Sequence, residues 1–319
     1  MSNRVTLSMA MTASDRTRPV IDGRVAVNGA DLVPIVGEPE DIFRRALRDK
    51  AFDVTELSMG SHIVTTARGD SGYVGVPVFL SRAFRHSAIY VRTDRGIRTA
   101  ADLAGRTIGL PEYQQTAALW VRGILREHYG VDTRSIAWRI GSERIAITLP
   151  AGFDVRPLGQ DLDVALAEGR IDALIAPRPP ACLGTAPVAR LYPDYRAEEV
   201  AWHRASGFFP IMHCIAVRKD VAERHPWLPV ELFRAFGKAK ALSLAELQLV
   251  NVLRVSLPWI AAAYEEQAAI MGGDPWPYGF ARNRDEVAAM IRYAVADGLA
   301  AQEIPPEALF HPSTLAEAG

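Results

Sequence analysis

The sequence predicts an α/β protein in two lobes, with parallel-rich mixed sheets and a cleft between the lobes. Three observations carry that expectation. At 319 residues the chain is longer than one small core organises. Short apolar runs alternate with amphipathic helical stretches, and strand–helix–strand order implies parallel pairing. A polar, turn-rich passage from Thr93 to Arg106 interrupts that alternation. Placing the crossing between lobes near residues 90–99 gives a first lobe over residues 1–95, a second over 96–205, and a return to the first lobe with C-terminal helices over 206–319.

The elements follow in order. Val5 to Met11 reads as a strand, Asp15 to Pro19 as a polar loop opening a short helix, and Leu32 to Val36 as a second strand. Ile42, Phe43, Ala46 and Leu47 share one face of a helix from Pro39 to Asp49. Phe52 to Leu57 is a strand that runs into a loop, Ser58 to His62, at the end where open α/β sheets carry ligand loops. Ser87 to Arg92 is a strand. Thr107 to Leu110 is another, followed by a loop, Pro111 to Gln115, and a helix that buries Ala118, Val121, Ile124 and Leu125 and stops near Gly130. A helix from Leu162 to Glu168, capped by Gly169, leads into a strand from Ile171 to Ala176 that ends at Pro177, Arg178, Pro179 and Pro180. Pro210 to Arg218 is the returning strand, with Asp220 as an N-cap and Pro226 and Pro229 breaking and restarting helices. Asn283 with Glu286 three residues later reads as a capping box for a helix that Gly298 ends.

Composition excludes several classes. Lys and Arg number 36 against 37 Asp and Glu, so no bulk positive field draws nucleic acid or an anionic membrane. Hydrophobic residues at 49 % and charged residues at 23 % describe a folded globule rather than a disordered or collagen-like chain. The two cysteines, Cys182 and Cys214, support neither a disulfide scaffold nor a Cys-rich metal site. The first residues lack the charged start, apolar run and cleavage site of a secretory signal, so a cytoplasmic location is expected. The apolar stretch from Val255 to Tyr264 is short and contains Pro258, which leaves no membrane span. Phosphate-loop, dinucleotide and nucleophile-elbow motifs are missing from the sequence.

Candidate chemistry gathers at strand ends. Arg82, Arg85 and His86 fall within Ser81 to Ser87 beside Phe84, where the chain dips inward and a buried guanidinium needs an anion. Two forked arginines suit a ligand with adjacent carboxylates. Arg178, bracketed by prolines, and Arg16, after the first strand, are further cationic candidates, with exposed loop charge as the alternative for each. Tyr113, Gln114 and Thr116 precede or open a long helix whose N–H groups suit an anion, and Ser58 opens the loop at its strand's end. Glu112 is awkward there, because it repels a carboxylate unless it is protonated or turned away. His62, His86 and His213 each read more readily as structural than catalytic; His213 stands out on an apolar returning strand, where a pKa near neutrality suits proton transfer. A metal site from His62, His86, His213 and Glu112 is the lesser alternative, since no paired-histidine spacing supports it. Asp274 to Gly279, with Trp276 and Tyr278, is either an aromatic lid or a packed connection.

The lobe order, the linker from Ile89 to Arg106 and the returning strand resemble type 2 periplasmic-binding-protein-like folds, the solute-binding components of ABC transporters. Phe52 to Met59, Pro77 to Val91 and Phe209 to His213 are similar, more narrowly, to the 4,5-dihydroxyphthalate decarboxylase family. That resemblance implies a carboxy-lyase of phthalate breakdown that removes CO2 from 4,5-dihydroxyphthalate without oxidation, giving protocatechuate (3,4-dihydroxybenzoate). It implies no organic cofactor and leaves a divalent metal open. Under it, Arg16, Arg82, Arg85 and Arg178 hold carboxylates, His62 and His86 meet the hydroxyls, and His213 protonates the ring. The alternatives are a solute-binding protein that holds an aromatic carboxylate unchanged and a hydrolase or isomerase that acts on a related aromatic acid without releasing CO2. The expected partner is a small aromatic dicarboxylate, with a homo-oligomer left open.

Overall fold

The computed structural model describes residues 4–319. In the first part of the chain, β1 (Val5–Met11), α1 (Arg18–Ile21), β2 (Ala30–Val36), α2 (Pro39–Asp49), β3 (Val54–Ser58), α3 (Met59–Arg68) and β4 (Tyr73–Arg82) build most of one sheet. The middle of the chain gives β5 (Ile89–Arg92), β6 (Thr107–Leu110), α4 (Thr116–Glu127), β7 (Ala137–Ile140), β8 (Val155–Pro157), α5 (Leu162–Glu168), β9 (Ala173–Ile175), β10 (Val188–Arg190) and α6 (Tyr195–Ser206). Then β11 (Ile211–Arg218) returns, followed by α7 (Lys219–Arg224), α8 (Leu228–Leu247), α9 (Ile260–Met271) and α10 (Phe280–Ala296).

The first sheet has the order β2-β1-β3-β11-β4 and the second β10-β5-β9-β6-β7-β8. In the first sheet β1 pairs in parallel with β2 and β3, whereas β11 runs antiparallel between β3 and β4. In the second, β6 is parallel to β7 and β9, and β5 is antiparallel to β9 and β10. Because β5 lies in the second sheet, the chain leaves the first lobe between Arg82 and Ile89, ahead of the polar passage that suggested residues 90–99. The turn is made where Ala83 N–H donates to Pro210 O and a 3-10 turn runs from His86 to Ala88.

Three local expectations differ from the structure. Ser58 to His62 is not a loop: β3 passes directly into α3, whose first residues are all buried. Asp220 sits inside the first turn of α7, with Arg218 as the capping position. The proposed capping box lies inside α10, which starts earlier, at Phe280, after Gly279 has turned the chain at φ 93°, a conformation side chains avoid. Asn283 and Glu286 are buried there because their polar groups face Arg82.

Arg82 is the reason for that arrangement. Its fully buried guanidinium donates to Phe209 O at 2.6 Å, Pro277 O at 3.0 Å, the Glu286 carboxylate at 3.1 Å and Asn283 Oδ1. Glu286 Oε1 in turn accepts the Ile211 N–H at 2.7 Å. This network fastens α10 to β4 and to the start of β11. Glu286→Ala leaves a buried guanidinium uncompensated, and a chemical denaturation curve is expected to show a loss of about 3–5 kcal/mol; an unchanged midpoint contradicts the network's structural role.

Candidate active site

A cavity of about 170 Å³ opens between the lobes. The first lobe lines it with Phe43, Ser58, Met212 and His213, the crossing segment with Arg85, and the second lobe with Gln115, Thr116, Arg144 and Arg178. A larger, mostly apolar cavity of about 370 Å³ lies between α6 and α9. It contains none of the residues expected to carry chemistry, whereas the inter-lobe cavity gathers Ser58, Arg85, Thr116, Arg178 and His213 and is the candidate site.

His213 reaches the cavity through an irregular stretch of β11. Its pairing with β4 shifts register on both sides of His213, from Ile211 opposite Arg82 to His213 opposite Ser81 and Ile215 opposite Val76. Pro77, which has no N–H for the ladder, falls in the skipped part of β4. Such a bulge re-aims the side chain it carries. Against β3 the register is regular, with His213 opposite Ser58 and Ile215 opposite Glu56, so His213, Ser58 and Glu56 share one sheet face. His213 Nδ1 lies 2.6 Å from Glu56 Oε1, and among the described residues Nε2 has no hydrogen-bond partner. The Phe43 ring meets the imidazole edge-on at 4.8 Å.

Glu56 is the strongest signal that sequence reasoning missed. It is fully buried, and Oε2 accepts both the N–H and the hydroxyl of Thr12, at 2.8 and 2.6 Å. Burial alone raises such a carboxyl, but the hydrogen bond and charge of His213, together with Thr12, outweigh it and hold the group below the usual carboxylate range. In the sequence Glu56 shows only as a carboxylate within the strand read from Phe52 to Leu57; that every position of β3 is buried is visible in the structure alone.

Arg85 is largely buried and has no carboxylate within ion-pair distance among the described residues; its Nε donates to Met212 Sδ at 3.2 Å. Burial lowers its pKa to about 10, partly opposed by Glu199, so it remains cationic at neutral pH. A desolvated guanidinium without a contacting carboxylate is an anion site in waiting. Beside it, Thr116 opens α4, and its Oγ1 bonds Ser58 Oγ and the Gly60 N–H, each at 2.9 Å, joining the lobes. Gly60 is required there, because a Cβ collides with Gln114 O. The N-terminal turn of α4 thus faces the cavity and favours negative charge.

Arg144 was not foreseen. It lies on the loop after β7, with its guanidinium 3.1 Å from Glu112. Arg48 and Arg68 of the first lobe hold this loop by donating to the carbonyls of Glu143, Arg144 and Ala146. Glu112 is turned toward Arg144 and Gln114, which answers the concern that it faces a bound carboxylate; burial pushes its carboxyl up, against the pull of Arg144. Arg178 is an exposed rim residue, 3.0 Å from Glu38.

The structure therefore brings together Ser58, Arg85, Thr116, Arg178 and His213, and sends the other candidates elsewhere. Arg82 is consumed by Glu286. Arg16 lies over the Trp276 ring at 3.9 Å and bonds Asp15 and Leu80 O. Tyr113 is buried under Arg122, with its hydroxyl on Asp297 O, and Gln114 is buried with its amide on Glu112. His62 is buried in α3 with Nε2 on Leu309 O at 2.8 Å. His86 is ringed by Tyr129, Tyr192 and Trp202, and among the described residues neither ring nitrogen has a hydrogen-bond partner. Burial lowers both histidines to about pH 4. The metal alternative is not assembled: His62, His86, His213 and Glu112 do not converge, and no group of three or more His, Cys, Asp or Glu among the described residues is placed to hold an ion. Trp276 and Tyr278 form a packed connection, with Trp276 Nε1 on Phe79 O and Tyr278 wholly buried.

The sheet orders and the inter-lobe cavity define a two-lobed periplasmic-binding-protein-like fold. The periplasmic sulfonate-binding protein SsuA of Methylobacillus flagellatus, described as putative in function, superposes with a TM-score of 0.58 at 13 % identity, covering 99 % of this chain and 94 % of that one. The aliphatic sulphonate binding protein SsuA of Escherichia coli gives 0.54 at 14 % identity, covering 98 % and 99 %. No family model matches the chain. Among curated proteins, the 4,5-dihydroxyphthalate decarboxylase of Comamonas testosteroni is 43 % identical over 324 aligned positions, covering 98 % of both chains. That of Pseudomonas putida is 43 % identical over 217 positions, covering 65 % of this chain and 84 % of its own. The chain belongs to the 4,5-dihydroxyphthalate decarboxylase family.

His86 supplies a test of its exclusion from the site. Its pKa in the folded chain lies below the value of about 6.5 expected when unfolded, so stability is full above pH 6.5 and falls toward pH 4 as the unfolded chain takes up the proton. His86→Phe is expected to flatten that fall by on the order of 1–3 kcal/mol in melts across the range, and to leave turnover intact. A folded but inactive variant contradicts the placement.

Proposed function

We propose that the protein removes CO2 from 4,5-dihydroxyphthalate to give 3,4-dihydroxybenzoate, with the chemistry in the inter-lobe cavity. The observation that carries this reading is the 43 % identity with the Comamonas testosteroni decarboxylase over 98 % of both chains. The cavity's chemistry supports it: a guanidinium without a contacting carboxylate, a helix N-terminus, two further arginines and a histidine with one free ring nitrogen suit a dianionic aromatic that must gain a proton on carbon.

In the proposed mechanism one carboxylate sits against Arg85 and the N–H groups that open α4, while the other lies toward Arg144 and Arg178. The substrate hydroxyl para to the departing carboxylate pushes electron density onto the carbon that bears it. His213, protonated, gives the proton on Nε2 to that carbon, and the ring loses aromaticity. The C–C bond to the carboxylate then breaks, its electron pair returns to the ring, and CO2 leaves. His213 regains its proton from water, so the balance is one substrate carboxylate and one proton in, one ring C–H and one CO2 out. Walls such as Phe43 and Met212 limit water at the reacting carbon and strengthen the charge interactions around it.

Purified, chelator-treated protein in D2O is expected to release CO2 and to leave one deuterium at the vacated ring position. His213→Asn is expected to lower kcat about 10²- to 10⁴-fold with little change in substrate affinity. Arg85→Met is expected to weaken binding about 10- to 100-fold, the worth of a charge-assisted contact. Saturable binding without CO2 release favours a solute-binding protein instead. Turnover only with added divalent metal contradicts the metal-free mechanism, and equal losses of rate and affinity in His213→Asn remove it as the donor.

A further inference from the structure

We infer that Glu56 is the positioning residue of the reaction, fixing which nitrogen of His213 faces the substrate and stabilising the imidazolium that delivers the proton. The inference rests on reading His213 as the proton donor and says what makes that histidine a competent one.

Glu56 lines no part of the cavity and lies behind His213, so its role is exerted through the imidazole. With Nδ1 2.6 Å from Glu56 Oε1, the Nδ1 proton is committed to the carboxylate and only Nε2 is available to a bound ring. The register of β3 and β11 sets this contact, and the two Thr12 bonds clamp the other carboxylate oxygen so that it does not swing toward solvent. Thr12 is itself held, since its carbonyl accepts the Thr17 hydroxyl at 2.9 Å.

The charges around the imidazole show why a carboxylate is needed. Arg85, Arg144 and Arg178 line the same cavity; Arg144 is paired with Glu112 and Arg178 with Glu38 and Glu40, whereas Arg85 has no carboxylate within ion-pair distance among the described residues. The uncompensated Arg85 charge suits an anionic substrate and disfavours a protonated histidine. Glu56 is the carboxylate in direct contact that offsets it. Cys214, the titratable neighbour on β11, is a buried thiol pushed above its ordinary range by burial and by Glu56, so it adds no competing charge.

Glu56→Gln keeps the shape and a hydrogen-bond acceptor but removes the charge. We expect kcat to fall about 10- to 100-fold with KM held within about 2-fold, and the alkaline limb of the kcat profile to move to lower pH. A purely structural role predicts lost stability without that shift. Thr12→Val removes one donor and keeps the carboxylate, so it tests the same link should Glu56→Gln fail to fold. Its less satisfied carboxylate holds the imidazolium harder, and the alkaline limb of the kcat profile is expected to move to higher pH. An unmoved profile in whichever variant folds overturns the inference. So does a Glu56→Gln enzyme with native kcat. Normal turnover by His213→Asn overturns the proton-donor reading along with it, whereas an impaired His213→Asn beside an unmoved Glu56→Gln profile overturns this inference alone.

Discussion

The site depends on β11 being laid antiparallel between β3 and β4 after the chain has built the second lobe. That one insertion puts His213 on the same sheet face as Glu56 and Ser58, brings Met212 beside Arg85, and places the Ile211 N–H on Glu286. Strands from both ends of the first lobe must therefore be in place before the catalytic face exists. The bulge around His213 belongs to the same constraint, because Pro77 denies β4 a regular ladder at that level. Without that irregularity the histidine follows the regular pleat instead of being re-aimed at the cavity.

Arg82 and Arg85, three residues apart, show how a fold sorts identical side chains into different duties. Arg82 ends β4 and points into a shell of two carbonyls, an amide and a carboxylate, which satisfies its charge and locks α10 in place. Arg85 follows in the crossing segment, finds a thioether rather than a carboxylate, and keeps its charge available. The cost of desolvating a cation is met inside the protein in the first case and is left for an anionic ligand in the second. The same division separates the histidines: His62 and His86 are neutral core groups, and His213 carries a buried carboxylate behind it and an open nitrogen in front.

Much of the fold was legible in the sequence. The helix of Pro39 to Asp49, the strand of Thr107 to Leu110 with the helix after it, and the returning strand from residue 211 all announced themselves through period and breakers. The site was legible in part. Ser58, Arg85, Thr116, Arg178 and His213, read from strand ends and a helix start, come together around one cavity, as the placing of ligand loops in such sheets leads one to expect. Glu56, Arg144 and Gln115 were missed, the first because a carboxylate in a strand gains meaning only from its cross-strand partner, the second because its loop is placed by Arg48 and Arg68 from the other lobe. Arg82, Arg16, Tyr113, Gln114, His62 and His86 lie outside that cavity for a common reason: a sequence shows a polar side chain near a strand end or loop, but not whether its partners are already inside the fold.

The most direct measurement is a crystal structure of His213→Asn with 4,5-dihydroxyphthalate soaked in, since that variant is expected to bind the substrate and turn it over only slowly. The account predicts density in the inter-lobe cavity, with one carboxylate on Arg85 and the start of α4, and a carboxylate-bearing ring carbon roughly 3–3.5 Å from the side chain at position 213. Substrate seated between α6 and α9, or lying in the cleft with its hydroxyls on Arg85 and its carboxylates at residue 213, contradicts it.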